Sequence, residues 1–378
     1  SSSFPFRKCA LLRRAVSRLL VLARSGRRLL NRPPRKPWIP GLPEGLTFEG
    51  LDRLAQERHG RRLISTAYRH LSGWKQLGAY QVELRLGGDE CWTLVYKDSY
   101  YGPSQIPALK GFPARVGPPE YSVFKQASGG LCRFLPEVYS AEELEPGSHY
   151  RYLMEDLSED YALKIGEPGM QVMVQRLPEF HAALAEWGQG QPLPEFIRYD
   201  SAFYADFGDY ITGAFERYLR VHESDAVRRF LSTWPQIERM HRDPGFDLLD
   251  GLQPIHGDLN LRNVLFHIRQ TDQVKLLDWE WAGWGQPHAD LASITKHLSE
   301  AACDQALDAY ARLQPRLSRE EHWRRYQWYR LERGLLDAAF MAVQIVESPP
   351  QTGMNVAHFL ESSLRQVQNS FITLSQIT

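Results

Sequence analysis

The stretch Ile255-His256-Gly257-Asp258-Leu259-Asn260-Leu261-Arg262-Asn263-Val264-Leu265, continued by Val274-Lys275-Leu276-Leu277-Asp278-Trp279-Glu280, constrains the fold more than any other part of the chain. It reads as a loop, a short strand, a turn and a second strand that ends in a carboxylate. Asp258 and Asn263, five apart in one loop, can face a common cleft from opposite sides, and Asp278 can reach the same point from the end of the strand pair. Phosphoryl transfer asks for this equipment. One carboxylate orients a hydroxyl and accepts its proton, while an amide oxygen and a second carboxylate hold magnesium against the phosphates. The plainer alternative is that Asp258 and Asn263 cap turns and Asp278 merely closes a strand.

The surrounding pattern separates a sheet-rich part from a helical part. Phe48 to His59 has helical spacing, through Phe48, Leu51, Leu54 and Ala55. Tyr80 to Leu86 alternates strictly between apolar and polar residues, Gly87-Gly88-Asp89 supplies a turn, and Cys91 to Lys97 follows as a second strand. Asp98 to Pro119 is rich in Gly and Pro and reads as a loop, after which Pro118-Pro119-Glu120 opens a helix through Phe124. Val138 and Tyr150 to Met154 suggest two more strands, and beyond Glu155 long helical patterns dominate except near 255–281.

Several upstream features fall in the order that nucleotide chemistry requires. Ser72-Gly73-Trp74-Lys75-Gln76-Leu77-Gly78 lies between strand candidates, and Gly73 would let a hairpin cover phosphates closely. It matches neither Gly-x-Gly-x-x-Gly nor the P-loop. Lys97 ends an apolar strand, where a lysine can pair phosphates and be held by a helix carboxylate, here Glu120. Taken alone it would read as an exposed strand-end lysine. Glu155 and Leu157, in Tyr152-Leu153-Met154-Glu155-Asp156-Leu157, are placed to offer backbone groups to an adenine edge.

This order resembles the aminoglycoside phosphotransferase and choline kinase family over about residues 60–345, most specifically in His-Gly-Asp…Asn and Leu-Leu-Asp-Trp-Glu. The resemblance implies an α+β, two-lobed, protein-kinase-like fold with a small antiparallel-sheet N-lobe, residues 44–154, and a larger, mainly helical C-lobe, residues 155–378. It implies Asp258 as catalytic base on a loop braced by His256, with Asn263 and Asp278 as magnesium ligands. Lys97 would bind phosphate with Glu120 as its partner, and Asp290 would fix the catalytic loop. ATP and Mg2+ follow as cofactors. The chain departs from the family in placing Arg262 before Asn263, in the 22 residues between Lys97 and Glu120, and in lacking Asp-Phe-Gly and Ala-Pro-Glu segments. The absence of these last two segments, and with them of an ordered protein-substrate platform, favours a small-molecule acceptor over a protein.

Arg262, Glu280, Trp281 and Trp284 are the candidate acceptor contacts. Indole rings can stack on sugar faces or cage a quaternary ammonium, although Trp279, Trp281, Trp284, Trp323 and Trp328 also suit core packing between helices. His181 reads as a packed, hydrogen-bonded histidine, and no Gly-x-Ser-x-Gly elbow appears. The acceptor classes compatible with the sequence are aminoglycosides, sugars and amino alcohols such as choline. A kinase acting on protein, and a catalytically silent nucleotide-binding module, are the rival readings; a nucleic-acid partner is not expected.

Charge is unevenly placed along the 378 residues. Lys and Arg total 45, as do Asp and Glu, yet residues 1–43 hold eleven basic groups and no acidic one, leaving 34 basic against 45 acidic in the remainder. On a helical wheel Leu12, Val16, Leu19, Leu20, Ala23 and Leu30 share one face, with Arg13, Arg14, Arg18, Arg24 and Arg28 opposite. The segment reads either as an interfacial helix making peripheral membrane contact through residues 7–30 or as a helix docked on the acidic body. A secretory signal fits poorly because arginines interrupt the apolar stretch. The run from Arg32 to Pro43 is a Pro-rich linker. Four scattered cysteines form no Cys-x-x-Cys pair and no apolar run reaches the ~18 residues of a membrane span, so the expected location is cytoplasmic, peripheral at the inner face of a membrane in the case where the leader is the interfacial helix.

Overall fold

A computed structural model of the chain describes residues 37–71, 78–100, 119–189, 191–270, 272–296, 298–347 and 356–376. The amphipathic leader, Gly73 and most of the Gly/Pro-rich segment after Tyr100 lie outside the described residues. The described residues form two compact units: 37–71 with 80–92, and 78–79 with 93–376.

In the first unit β1 (Ile39–Pro40) pairs antiparallel with β2 (Leu63–His70), and β2 with β3 (Ala79–Leu86). Helix α1 (Phe48–His59) has the bounds that its apolar spacing predicts. Thr47 caps its N-terminus by accepting from Gly50 N–H, and Gly60, at φ 66°, ends it in the left-handed region where a Cβ is disfavoured. Asp52 then accepts from the Leu63 N–H at 2.8 Å, tying α1 to the start of β2. Strand β2 is an addition to the sequence reading; its pattern of Leu63, Ala67 and Tyr68 is not strictly alternating, and a bulge near Ser65 is the reason. Strand β4 (Glu90–Tyr100) begins in this unit and continues into the second.

In the second unit β4 pairs antiparallel with β6 (His149–Glu155), which also pairs with β5 (Val138–Glu145); helix α2 (Pro119–Gln126) precedes them. The remainder is largely helical: α3 (Glu167–Gly188), α4 (Ser201–Val221), α5 (Asp225–Arg242), α6 (His288–Ile294), α7 (Glu300–Leu313), α8 (Arg319–Glu347) and α9 (Val356–Ser375). Two small sheets are set among them. One joins β7 (Tyr161–Leu163), β10 (Val264–His267) and β11 (Val274–Leu276), and the other joins β8 (Ile197–Arg198), β9 (Gln253–Ile255) and β12 (Gly283–Gly285).

The compact units divide elsewhere than at the boundary expected between residues 154 and 155. Val123, Phe124, Tyr150, Tyr152 and Met154 share one continuous buried cluster with Met170, Leu177 and Phe180 of α3. Burial of apolar area, at roughly 25 cal/mol per Å2, holds α2, β5 and β6 to the helical part. No helix among the described residues is long and apolar enough to cross a membrane.

The small sheet of β8, β9 and β12 demands close backbone approach. A Cβ on Gly283 would fall inside van der Waals contact of the Ile197 carbonyl and the Tyr199 ring. Gly283→Ala should therefore destabilise the fold by about 2 kcal/mol through overpacking against rigid backbone, read as a lower midpoint in urea unfolding. An unchanged midpoint would contradict this packing.

Candidate active site

The site grows from a short loop between β9 and β10. Gly257 sits at φ 77°, and a Cβ there would collide with the Trp281 carbonyl, so only glycine lets the chain turn beneath that strand. Asp290, fully buried on α6, accepts from the His256 N–H at 3.0 Å and the Gly257 N–H at 2.9 Å, and pairs with His181 Nε2 at 3.0 Å. The sequence reading gave Asp290 this structural task and His181 a packed position; both hold. Burial alone would raise the Asp290 carboxyl, but its bonds to His181 and to the His256 N–H outweigh it and hold the pKa below the ordinary carboxylate value.

His256 is also fully buried. Its Nε2–H donates to the Leu277 carbonyl at 3.0 Å, and burial pushes its pKa down, so the ring is neutral and braces the loop rather than touching reactants. Asp258, the next charged residue, stays half-buried. Its Oδ2 accepts from Asn260 Nδ2 and Asn263 Nδ2, each at 3.1 Å, and the Asn263 amide also donates to the Asp258 carbonyl at 2.9 Å.

The β10–β11 hairpin then brings Asn263 and Asp278 together. Val264 faces Leu276 across the ladder, and the Leu277 N–H donates to the Asn263 carbonyl at 2.9 Å, so Asp278 lies one residue beyond Asn263's cross-strand neighbour. Asp278 has φ 64°, one of two positive-φ residues other than glycine among the described residues. Strain of this kind persists where the surroundings over-determine it, here at the kink that turns a carboxylate out of a strand. Since Asn263 spends its Nδ2 on Asp258, its Oδ1 is the atom free in kind to ligate a hard cation. No group of three His, Cys, Asp or Glu suited to a metal occurs among the described residues. One carboxylate, one amide oxygen and phosphate oxygens suffice for magnesium, so the residues present fit it.

Lys97 comes to the same region from β4. Its Nζ donates to Glu120 Oε2 of α2 at 2.5 Å and lies 3.9 Å from Glu280 Oε1. Burial would lower the Lys97 pKa, but Glu120, Glu280 and Asp278 outweigh it and the ammonium stays charged. The Lys97–Glu120 pair thus forms despite the long connection between them. Glu280, expected as an acceptor contact, lies in the turn beyond β11 and is buried near Lys97.

Other expected residues are placed differently. Arg262 is exposed and its N–H is held by Asn260 Oδ1 at 3.0 Å, a turn geometry that leaves the side chain toward solvent. Trp284 lies in β12 opposite Pro254 and Arg198, a partly buried sheet position packed on the core and outside the lining of the pocket described below. Glu155 commits its N–H to the Glu137 carbonyl at 2.8 Å and its carboxylate to the Glu137 N–H at 3.1 Å. Leu157 is buried and its carbonyl accepts from Tyr161 N–H, so its own N–H is the backbone group left to serve a base edge.

Beside the loop that carries Asp258 a partly open pocket is walled by Tyr199, Phe203, Tyr204, Phe207, Trp281 and Tyr329. Glu332 and Arg333 of α8 also line it. Tyr199 is pinned by donating its hydroxyl to the Trp281 carbonyl at 2.7 Å, and α4 is started by Asp200, which accepts from Ala202 and Phe203 N–H at 3.1 Å. Trp281 is thereby the one expected acceptor contact that lines the pocket. Trp279 and Trp328 are fully buried core residues. The sequence reading passed over Phe203, Phe207, Glu332 and Arg333, whose only local signal is helical spacing.

A family model described as the phosphotransferase enzyme family, APH, matches residues 134–329, just over half of the chain. The chain belongs to that family. Curated relatives match over short spans: acyl-CoA dehydrogenase family member 11 of Rattus norvegicus is 35% identical over 74 residues, 20% of this chain and 9% of its own length. Protein LicA of Haemophilus influenzae is 39% identical over 61 residues, 16% of this chain and 22% of LicA. The matches thus span less than a quarter of either relative. Among solved structures, choline kinase LicA from Streptococcus pneumoniae superposes with a TM-score of 0.54 at 11% identity, over 85% of this chain and 98% of that one. The protein-kinase-like α+β fold is shared at a level of sequence identity where only the fold carries over.

The buried histidines give the site a pH dependence. Burial lowers His256, His288 and His322, so their contribution to stability is intact above about pH 6.5 and is lost as pH falls toward their folded values. His241, raised by Glu332 against its own burial, works in the opposite sense. Glu332, raised by its own burial, acts with His241, but His288 is held furthest from its ordinary value, so the urea midpoint should be lower at pH 5.5 than at pH 7.5; an equal or higher midpoint would show that these rings are not held neutral.

Proposed function

We propose that the chain is an ATP- and magnesium-dependent kinase that phosphorylates a hydroxyl of a small molecule seated in the aromatic pocket. The observation that carries this reading is the position of Asp258. It stands on a loop that borders the pocket through Gly257 and meets Asn263 at hydrogen-bond distance. Family membership supports the chemistry, and the kinase fold shared with choline kinase LicA supports the arrangement.

Asp258 orients the acceptor hydroxyl and takes its proton as the oxygen attacks the γ-phosphorus in line. Lys97, kept charged and aimed by Glu120, pairs with phosphate oxygens. Asn263 Oδ1 and Asp278 would hold magnesium, which when bound offsets charge on the phosphates. Leu157 N–H would meet the adenine edge. The complete set speaks against a silent module.

The pocket narrows the acceptor. Its rings offer apolar faces or a cation–π surface. Glu332 pairs with His241 at 2.6 Å, and its Oε2, buried without a hydrogen-bond partner, is an acceptor for a donor on the ligand. A carboxylate already matched by a histidine cannot offset the several ammonium groups of an aminoglycoside. A compact amino alcohol fits better.

ATP consumption across choline, ethanolamine, glucose and kanamycin tests the reading, with the highest turnover expected on an amino alcohol. Asp258→Asn should lower kcat by roughly 1000-fold, as loss of a positioned base does, while ATP binding by calorimetry is retained. Full turnover in that variant would remove Asp258 from its role.

A further inference from the structure

The third side of Asp258 is taken by a residue from far along the chain. Arg333, on α8, donates from Nη1 to Asp258 Oδ1 at 3.4 Å and from Nη2 to the Gly257 carbonyl. Its side chain is only 11% exposed, so this is an ordered guanidinium and not a surface arm. Burial would lower the Arg333 pKa, yet the carboxylates of Asp258 and Asp337 outweigh it and keep the cation firm. Asp337, one turn further along α8, is itself held by Lys296 at 2.6 Å.

We propose that Arg333 is a positioning residue for phosphoryl transfer, fixing the rotation of the Asp258 carboxylate and aiming its Oδ1 edge into the acceptor pocket. This rests on the reading of Asp258 as the base. The geometry divides the carboxylate cleanly. Oδ2 is bound by Asn260 and Asn263, both at 3.1 Å, on the side of the magnesium ligands. Oδ1 faces Arg333, and Arg333 lines the pocket. Oδ1 is therefore the oxygen that an incoming hydroxyl meets, and its longer contact to the guanidinium leaves room to accept a second hydrogen bond.

A carboxylate gripped only through Oδ2 could swing about its χ2 bond, which is broad for aspartate. A planar guanidinium bonded at once to the side chain and to the preceding carbonyl removes that freedom, because its donors are fixed in one fork. The loop is thus clamped from two helices: α6 holds its backbone N–H groups through Asp290, and α8 holds its carbonyl and its reacting carboxylate through Arg333. Arg333 itself touches no phosphate in this account. Its effect is carried by Asp258.

Steady-state kinetics with ATP and the best acceptor of the panel test the inference on the full chain. Arg333→Ala should lower kcat by roughly 100-fold, the loss that follows a small misplacement of a reacting group, with the KM for ATP unchanged. Added guanidinium at millimolar concentration should restore part of that kcat, and Arg333→Lys should fall between the parent and the alanine variant. Rescue separates positioning from folding, since a protein that merely lost stability gains nothing from guanidinium. Full kcat in Arg333→Ala, or loss that neither guanidinium nor lysine recovers, would overturn the inference. Absence of turnover by the parent protein on every acceptor would instead remove the kinase reading, and the inference with it.

Discussion

A buried carboxylate with no water to solvate it must be satisfied by the protein, and Asp290 is satisfied by the loop that carries Asp258. It takes two consecutive backbone N–H groups, of His256 and Gly257, and an imidazole from α3. Leaving such a charge unpaired would be strongly destabilising, on the order of 3–5 kcal/mol when one partner of a buried pair is lost. The loop is therefore not free to relax. Gly257 is turned at positive φ beneath Trp281, His256 is held against Leu277, and Asp258 emerges at one orientation beside the pocket. Every later feature of the site stands on that backbone.

The electrostatics of the neighbouring region follow a related logic. Glu120, Glu280 and Asp278 all act on the single ammonium of Lys97. An excess of carboxylates around one cation is a poor place for bare phosphates and a good place for phosphates that arrive with a divalent metal. The Asn263 side chain completes the pattern by facing its amide N–H to Asp258, so its oxygen is the end left for a ligand. The pocket beside Gly257 is of a different character. Its walls are aromatic, and its two charged members, Glu332 and Arg333, are each paired with a group of opposite sign.

Much of this was legible in order along the chain because short-range geometry fixes it. The spacing from Asp258 to Asn263, the two-strand hairpin that returns Asp278 beside Asn263, and the apolar strand that carries Lys97 are set by turns and by strand periodicity, although that strand runs three residues beyond its expected end at Lys97, to Tyr100. So are the bounds of α1, where Thr47 and Gly60 supply both caps. The Lys97–Glu120 pair was legible as an expectation from the order of motifs, though the connection between them is long.

What the sequence by itself determined, then, is the local chemistry: which side chains can accept a proton, ligate a cation or bind phosphate, and which of them share a loop or a hairpin. Tertiary structure alone decided who meets them. Arg333 reaches Asp258 across 75 residues, and no periodicity on α8 distinguishes it from the arginines at 324, 325 or 330. Trp281 faces the pocket while Trp279, two residues earlier, is sealed in the core against Phe180 and His256. Aromatic rings from α4 and the residue before its cap, from the turn ahead of β12 and from α8 become one wall only when those segments pack. Turns and strand pairing act over a few residues and leave a signature in spacing; packing joins surfaces that have no fixed separation along the chain, and so writes none.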